Sequence, residues 1–195
     1  MNISEPIFGV ASALLLAASG PSYFISTIKG QMKPQRATWF IWAVLGVTAL
    51  VSQVALGGTW SVVFTAVDSL GNILMFLLAL KYGVGGWNRL DKIALVIAGV
   101  GIIVSIVVRQ QLIALVGVIV ADAASASLTI RKAYLDPASE DPLAWLLVGL
   151  SAVCALIAVG RIDVQLLIYP IYLALANFGV VVAQRVGFRR VAGRV

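Results

Sequence analysis

Seven stretches of this chain are each apolar and long enough to cross a lipid bilayer, and no other feature restricts the fold as strongly. They run over residues 6–28, 38–57, 60–81, 93–109, 112–130, 143–160 and 164–184. A spanning helix needs about 20 mainly apolar residues. Lipid offers no partner to exposed backbone groups, so at these lengths only helices satisfy the chain. The predicted fold class is therefore all-α: a polytopic membrane protein of seven transmembrane helices. Charged residues make up only 11% of the chain, whereas soluble domains carry about a quarter. The connections are short, and none could fold as a soluble domain.

The residue inventory removes several kinds of chemistry. There is no histidine, and Cys154 is the only cysteine. Intramolecular disulfides and the usual zinc, haem and iron–sulfur ligand sets are thereby excluded. A Ser-His-Asp site is excluded too, and no phosphate-binding motif is present. The expectation is a protein that is not an enzyme and holds neither cofactor nor metal. Cys154 lies in the apolar run SAVCALIAV and reads as a small buried hydrophobe. The N-terminal MNISEPIF lacks Lys and Arg, so the first apolar run reads as a retained helix rather than a cleaved signal.

Basic residues set the expected orientation. Twelve of them (Lys29, Lys33, Arg36, Lys81, Arg89, Lys92, Arg131, Lys132, Arg185, Arg189, Arg190, Arg194) fall on one side of the seven spans, and Arg109 and Arg161 fall on the other. By the positive-inside rule the rich side is cytoplasmic. The expectation is a bacterial inner membrane protein with its N-terminus outside and its C-terminus in the cytoplasm. The same rule accounts for the net charge of +6, and nucleic acid is not implied. The tail QRVGFRRVAGR also has the chemistry to meet anionic headgroups.

The chain contains a weak internal repeat. Ser22–Gly46 aligns with Ala124–Gly149, placing Thr27 on Thr129, Pro34 on Pro137, Trp42 on Trp145 and Gly46 on Gly149. Further on, Asn72 falls on Asn177. Helices 1–3 thus match helices 5–7, with helix 4 as connector. The expected organisation is residues 1–84 as the first three-helix repeat, 85–110 as the linker helix, and 111–195 as the second repeat with its basic tail. Three is odd, so one linking helix returns both repeats to the same orientation, a known transporter plan.

This 3+1+3 plan, with Pro21-Ser22, the basic loop Lys29–Arg36 and Trp39-Phe40-Ile41-Trp42, resembles the SWEET and PQ-loop superfamily of small-solute transporters. The chain departs from that family in having Ser22 where it has glutamine, Ala123 at the matching place in helix 5, and no proline hinges in helices 2 and 6. The resemblance implies alternating access, with an asparagine pair on helices 3 and 7 lining the solute pocket. Asn72 and Asn177 match that pair.

Polar residues at membrane depth are the remaining candidates. Asp68 and Asp122 lie near the centres of helices 3 and 5, where a charge costs about 2.5–3.5 kcal/mol. A carboxylate there can be protonated, face a water-filled cavity or hold a cation. Asp68 and Asn72 are four residues apart and share a helix face. Tyr23 and Ser22, with Ser19, Ser125 and Ser127, would complete a hydrogen-bonding lining. The competing structural role is simple bonding to a neighbouring helix. Pro21 reads as a hinge, because it deprives the carbonyl one turn earlier of its donor. Trp39, Trp42, Trp60 and Trp145 read as interfacial anchors.

Together these point to a membrane transporter for a small polar solute such as a sugar, nucleoside or amino acid, with protons as a coupling partner through Asp68 and Asp122. The alternative is a non-transporting receptor or scaffold with the same bundle, and a homo-oligomer suits either. A retinal protein fails, since Val164–Gln184 contains no lysine.

Overall fold

The computed structural model describes residues 4–55, 60–108, 111–160, 162 and 164–193. Among the described residues the chain is helical, and each predicted stretch forms one α-helix. These are α1 (Ser4–Ile28), α2 (Arg36–Ala55), α3 (Trp60–Tyr82), α4 (Arg89–Val107), α5 (Gln111–Leu135), α6 (Pro142–Ala158) and α7 (Val164–Ala192). A 3-10 turn, Pro137–Ser139, precedes α6. Three helical stretches, Pro6–Ile28, Arg89–Val107 and Leu166–Ala192, are apolar and long enough to cross a membrane. Ser69–Tyr82 and Pro142–Ala158 are shorter apolar helices. Of the residues counted for orientation, Arg109, Arg161 and Arg194 lie outside the described residues.

Local chemistry sets the ends. Asn88 and Asp91 cap α4 reciprocally, each side chain accepting from the other residue's backbone N–H, which satisfies two orphan donors of the first turn. Asp141 caps α6 by accepting from Leu143 and Ala144 N–H, and Pro142 opens the helix where no donor is needed. Gly30, at φ 71°, turns the chain out of α1 in the left-handed region. Helices α5 and α7 overrun their apolar stretches, to Leu135 and Ala192. Lys and Arg are good helix formers, so hydropathy ends before the helix does.

Small and polar residues are frequent among the buried positions, beside large ones such as Ile41, Trp145 and Val180, and many large apolar residues are exposed. Buried positions include Ala79, Ala98, Ala121, Ser69, Ser125, Thr27, Thr38 and Thr129. Exposed positions include Val10, Leu14, Val96, Val100, Ile103, Leu175 and Val182. Large apolar side chains pointing outward suit lipid as the solvent, while small residues let helix backbones approach.

The described chain divides into two compact units. Unit 1 comprises α1, α6, α7 and the chain from Ile130 onward, including the last turns of α5. There α1 packs on α6 and α6 on α7. Ser12 and Ser151 join α1 to α6 through a 3.1 Å hydroxyl contact and a 2.8 Å bond from Ser151 Oγ to the Ser12 carbonyl. Unit 2, Lys33–Thr129, holds α2, α3, α4 and most of α5. Here α2 packs on α3 and α4, and Thr38 Oγ1 donates to the Ser125 carbonyl of α5 at 2.9 Å. These units of contact cut across the chain differently from the aligned segments: α1 is grouped with α6–α7, and residues 111–129 of α5 with α2–α3.

Two glycines show how tightly α4 and α5 cross. A Cβ on Gly101 would run into the Gly117 carbonyl oxygen, and one on Gly117 into the Gly101 carbonyl oxygen. The obstacle is backbone in both cases, so the helices themselves would have to separate. Gly101→Val should lower stability by about 1–3 kcal/mol, read as an earlier thermal unfolding midpoint. An unchanged midpoint would show that the crossing relaxes freely.

Candidate functional site

The densest polar constellation among the described residues lies in unit 1, where α1 and α5 end and α6 begins. Its centre is Glu140, whose side chain is fully buried and whose Oε1 lies 2.5 Å from the Lys132 ammonium. The other carboxylate oxygen accepts from Tyr23 Oη at 3.1 Å and from Trp145 Nε1 at 2.8 Å. The Tyr23 and Trp145 rings meet edge to face, 5.6 Å apart. Gln184 of α7 donates from Nε2 to the Glu140 and Pro137 carbonyls at 2.8 and 2.7 Å. Beside it, Ser22 Oγ donates to Asp141 Oδ2 at 2.5 Å, while Asp141 Oδ1 caps α6. One carboxylate thus gathers contacts from α1, α5 and α6, while its backbone carbonyl is held by α7. A buried charge persists only when paired and hydrogen-bonded, and Glu140 meets both conditions.

Unit 2 has a counterpart of different chemistry. The Asp91 carboxylate, 1% exposed, accepts from Gln35 Nε2 at 2.6 Å and from the Gly86 and Asn88 N–H groups. Gln35 Oε1 in turn accepts from Thr38 N–H. Uncharged donors alone surround this anion in those contacts. Arg36 donates to the Ala79, Leu80 and Gly85 carbonyls, closing the end of α3.

The residues expected to form the site fall into separate environments. Tyr23 and Ser22 belong to unit 1, and their hydroxyls bind Glu140 and Asp141. Asn177, also in unit 1, is buried, and its Nδ2 donates to the Leu173 carbonyl one turn back on α7 at 2.7 Å. Asn72 is half-buried in unit 2. Asp122 is 8% exposed on α5, in unit 2. The Asp68 backbone is part of α3, but its side chain lies outside the described residues. Pro21 lies inside α1, which continues beyond it to Ile28. Helix α7 carries an internal proline of its own, Pro170.

Trp145 departs from the interfacial role expected of it. It is 6% exposed, and its N–H goes to a buried carboxylate rather than to headgroups or water. Lys132, Glu140, Gln184, Gln35 and Asp91 are polar residues that hydropathy reading passed over. Asn88-x-x-Asp91 and Asp141-Pro142 carried helix-start signatures, but nothing in the sequence pairs Lys132 with Glu140. An apolar groove of 270 Å³ between α2 and α3, lined by residues such as Phe40, Val44, Ile73 and Phe76, contains none of the expected site residues and suits no polar solute. Comparison of the chain with protein-family models, curated proteins and solved structures returns no match.

Proposed function

We propose that this chain is an integral membrane transporter that moves a small polar solute by alternating access, on a SWEET-like plan of two three-helix repeats and a linker. All seven helices would span the bilayer, with the N-terminus outside and the C-terminus in the cytoplasm of a bacterial inner membrane. The observation that carries this reading is that aligned glycines of α2 and α6 each pack closely against the helix that follows. Gly46 of α2 faces Ser69 of α3, where a Cβ would come within 3.0 Å of the serine. Its aligned partner Gly149 of α6 faces Phe178 of α7, where a Cβ would come within 2.6 Å. The first helices correspond as well: α1 meets the start of α6 through Ser22–Asp141, and α5 meets the start of α2 through Ser125–Thr38. Matching contacts of this kind support a plan built from two repeats, which a transporter working by alternating access requires.

The solute ligands in this reading are Asn72 and Asn177, with Asp68 and Asp122 as acidic partners. The substrate class is polar and either uncharged or cationic, since two amides and two carboxylates offer it acceptors and donors. Uptake of radiolabelled sugars, nucleosides and amino acids into vesicles containing the purified chain is the test. A receptor would bind one of these without moving it, and a chain that neither binds nor moves any of them refutes the proposal.

Each asparagine contributes only one or two hydrogen bonds. Asn72→Ala and Asn177→Ala should therefore each weaken solute binding by about 1–2 kcal/mol, measured by calorimetric titration. Unchanged affinity in both variants would remove them from the site.

A further inference from the structure

We propose that the connection 136–141 is a strap latched by the Lys132–Glu140 pair, and that this end of unit 1 opens when the pair parts. The strap is short and irregular. Asp136 and Ala138 are exposed, while Pro137, Ser139 and Glu140 are buried. Besides the turn bonds of Asp136 and Ser139 and the Asp141 cap of α6, its contacts include Lys132, Tyr23 and Trp145 on the Glu140 carboxylate, Lys132 on the Ser139 carbonyl, Gln184 on the Pro137 and Glu140 carbonyls, and Ser22 on Asp141. Three of these converge on one carboxylate. Releasing that carboxylate lets go of Tyr23 of α1 and Trp145 of α6 in one event, while Ser22–Asp141 still joins α1 to the strap.

The aligned positions lack the charges that make this contact. By the alignment, Glu140 corresponds to Ala37, Lys132 to Gly30 and Tyr23 to Ser125. In unit 2, Thr38 donates to the Ser125 carbonyl, and Thr129 to Thr38 Oγ1 at 3.2 Å. Glycine and alanine cannot pair as Lys132 and Glu140 do, so this ion pair has no counterpart at the aligned positions. The cation on one carboxylate oxygen and the two neutral donors on the other hold the strap closed, and charge-assisted bonds are about twice as strong as neutral ones. Taking both charges away therefore weakens the closed state without leaving a lone buried ion.

As a gate for solute the strap rests on the transport reading, but its opening is measured without any solute. In full-length protein carrying Cys154→Ala, a cysteine is placed at Ser139, on the strap and 3% exposed, or at Ser151, in mid-α6 and 6% exposed. The rate of reaction with a water-soluble maleimide is compared in the parent and in Lys132→Met/Glu140→Gln, which leaves no lone buried charge. The expected result is labelling at position 139 roughly tenfold faster in the neutral pair, with position 151 unchanged. Lys132→Arg, which keeps the charge, should label like the parent. Equal acceleration at both positions would mean general loosening and overturn the latch, as would no acceleration at 139. Failure of vesicle uptake would refute the transport reading without touching this result.

Discussion

Lys132→Met should lower the stability of this chain by about 3–5 kcal/mol, the cost of leaving one member of a buried ion pair alone. The Glu140 carboxylate would keep its bonds from Tyr23 and Trp145 but lose the cation 2.5 Å from its other oxygen. With the side chain fully buried, water cannot easily replace that cation. Adding Glu140→Gln removes the lone charge and leaves an amide whose oxygen still accepts from Tyr23 or Trp145. The double variant should therefore recover most of the loss and end about 1 kcal/mol below the parent. Thermal unfolding of the purified chain in detergent or nanodiscs measures both. If the single variant matches the parent, the pair is not desolvated as its burial indicates. If the double variant is as poor as the single one, the loss comes from side-chain packing and not from charge.

The same pair marks the boundary of what could be read from the sequence. Helix number and type were legible because each helix is built on a long apolar stretch, which hydropathy reports directly; among the described residues three of them are apolar and long enough to cross a membrane. Helix starts carry a signal where a polar residue precedes an apolar run, as at Asn88 and at Asp141-Pro142, but hydropathy alone begins the fourth stretch at 93, four residues after α4 starts at Arg89. Which helix touches which was not. Hydropathy assigns α1 the same value whether it packs on α2 or, as found, on α6. The alignment that put Trp42 on Trp145 says nothing about partners either, and the indole of Trp145 turned out to be committed to Glu140. Lys132 could be counted only as one more basic residue for orientation, because its partner lies across an irregular turn.

The expected site residues illustrate the same limit from the other side. Tyr23 and Ser22 were chosen as polar groups on an apolar helix, which is correct as far as period and composition go. Their hydroxyls bind acidic residues of the 136–141 connection, a segment with no hydropathy signal. A polar side chain at depth needs a partner, and the sequence alone cannot separate a solute from a neighbouring loop. Asn177, bonded to its own helix through Nδ2, is a milder instance.

We propose further that transport is proton-coupled through Asp68, in which case Asp68→Asn should abolish accumulation of the solute while leaving its downhill equilibration in place. Asp68 lies on α3, one helical turn before Asn72, on the face that the four-residue spacing gives them in common. A carboxylate at membrane depth is costly as an anion and far less so as an acid. Occupation of the neighbouring amide by solute and occupation of the acid by a proton would therefore alter each other's cost, which is the requirement for coupling two gradients. Asn is close in shape and keeps the hydrogen-bonding capacity, but it cannot take up or release a proton. The measurement is uptake into proteoliposomes with and without an imposed pH gradient, for the parent and for Asp68→Asn, with Asp122→Asn alongside. In the parent, the gradient should drive solute above its external concentration. In Asp68→Asn, the internal level should stop at equality whatever the gradient, because each cycle then carries solute alone. Asp122→Asn separates the two acids: the same loss would make them a coupled pair sharing a proton, and full retention would leave Asp68 as the sole proton carrier. Accumulation that ignores the pH gradient in the parent, or that survives in Asp68→Asn, would reduce Asp68 to a solute ligand or a packing group.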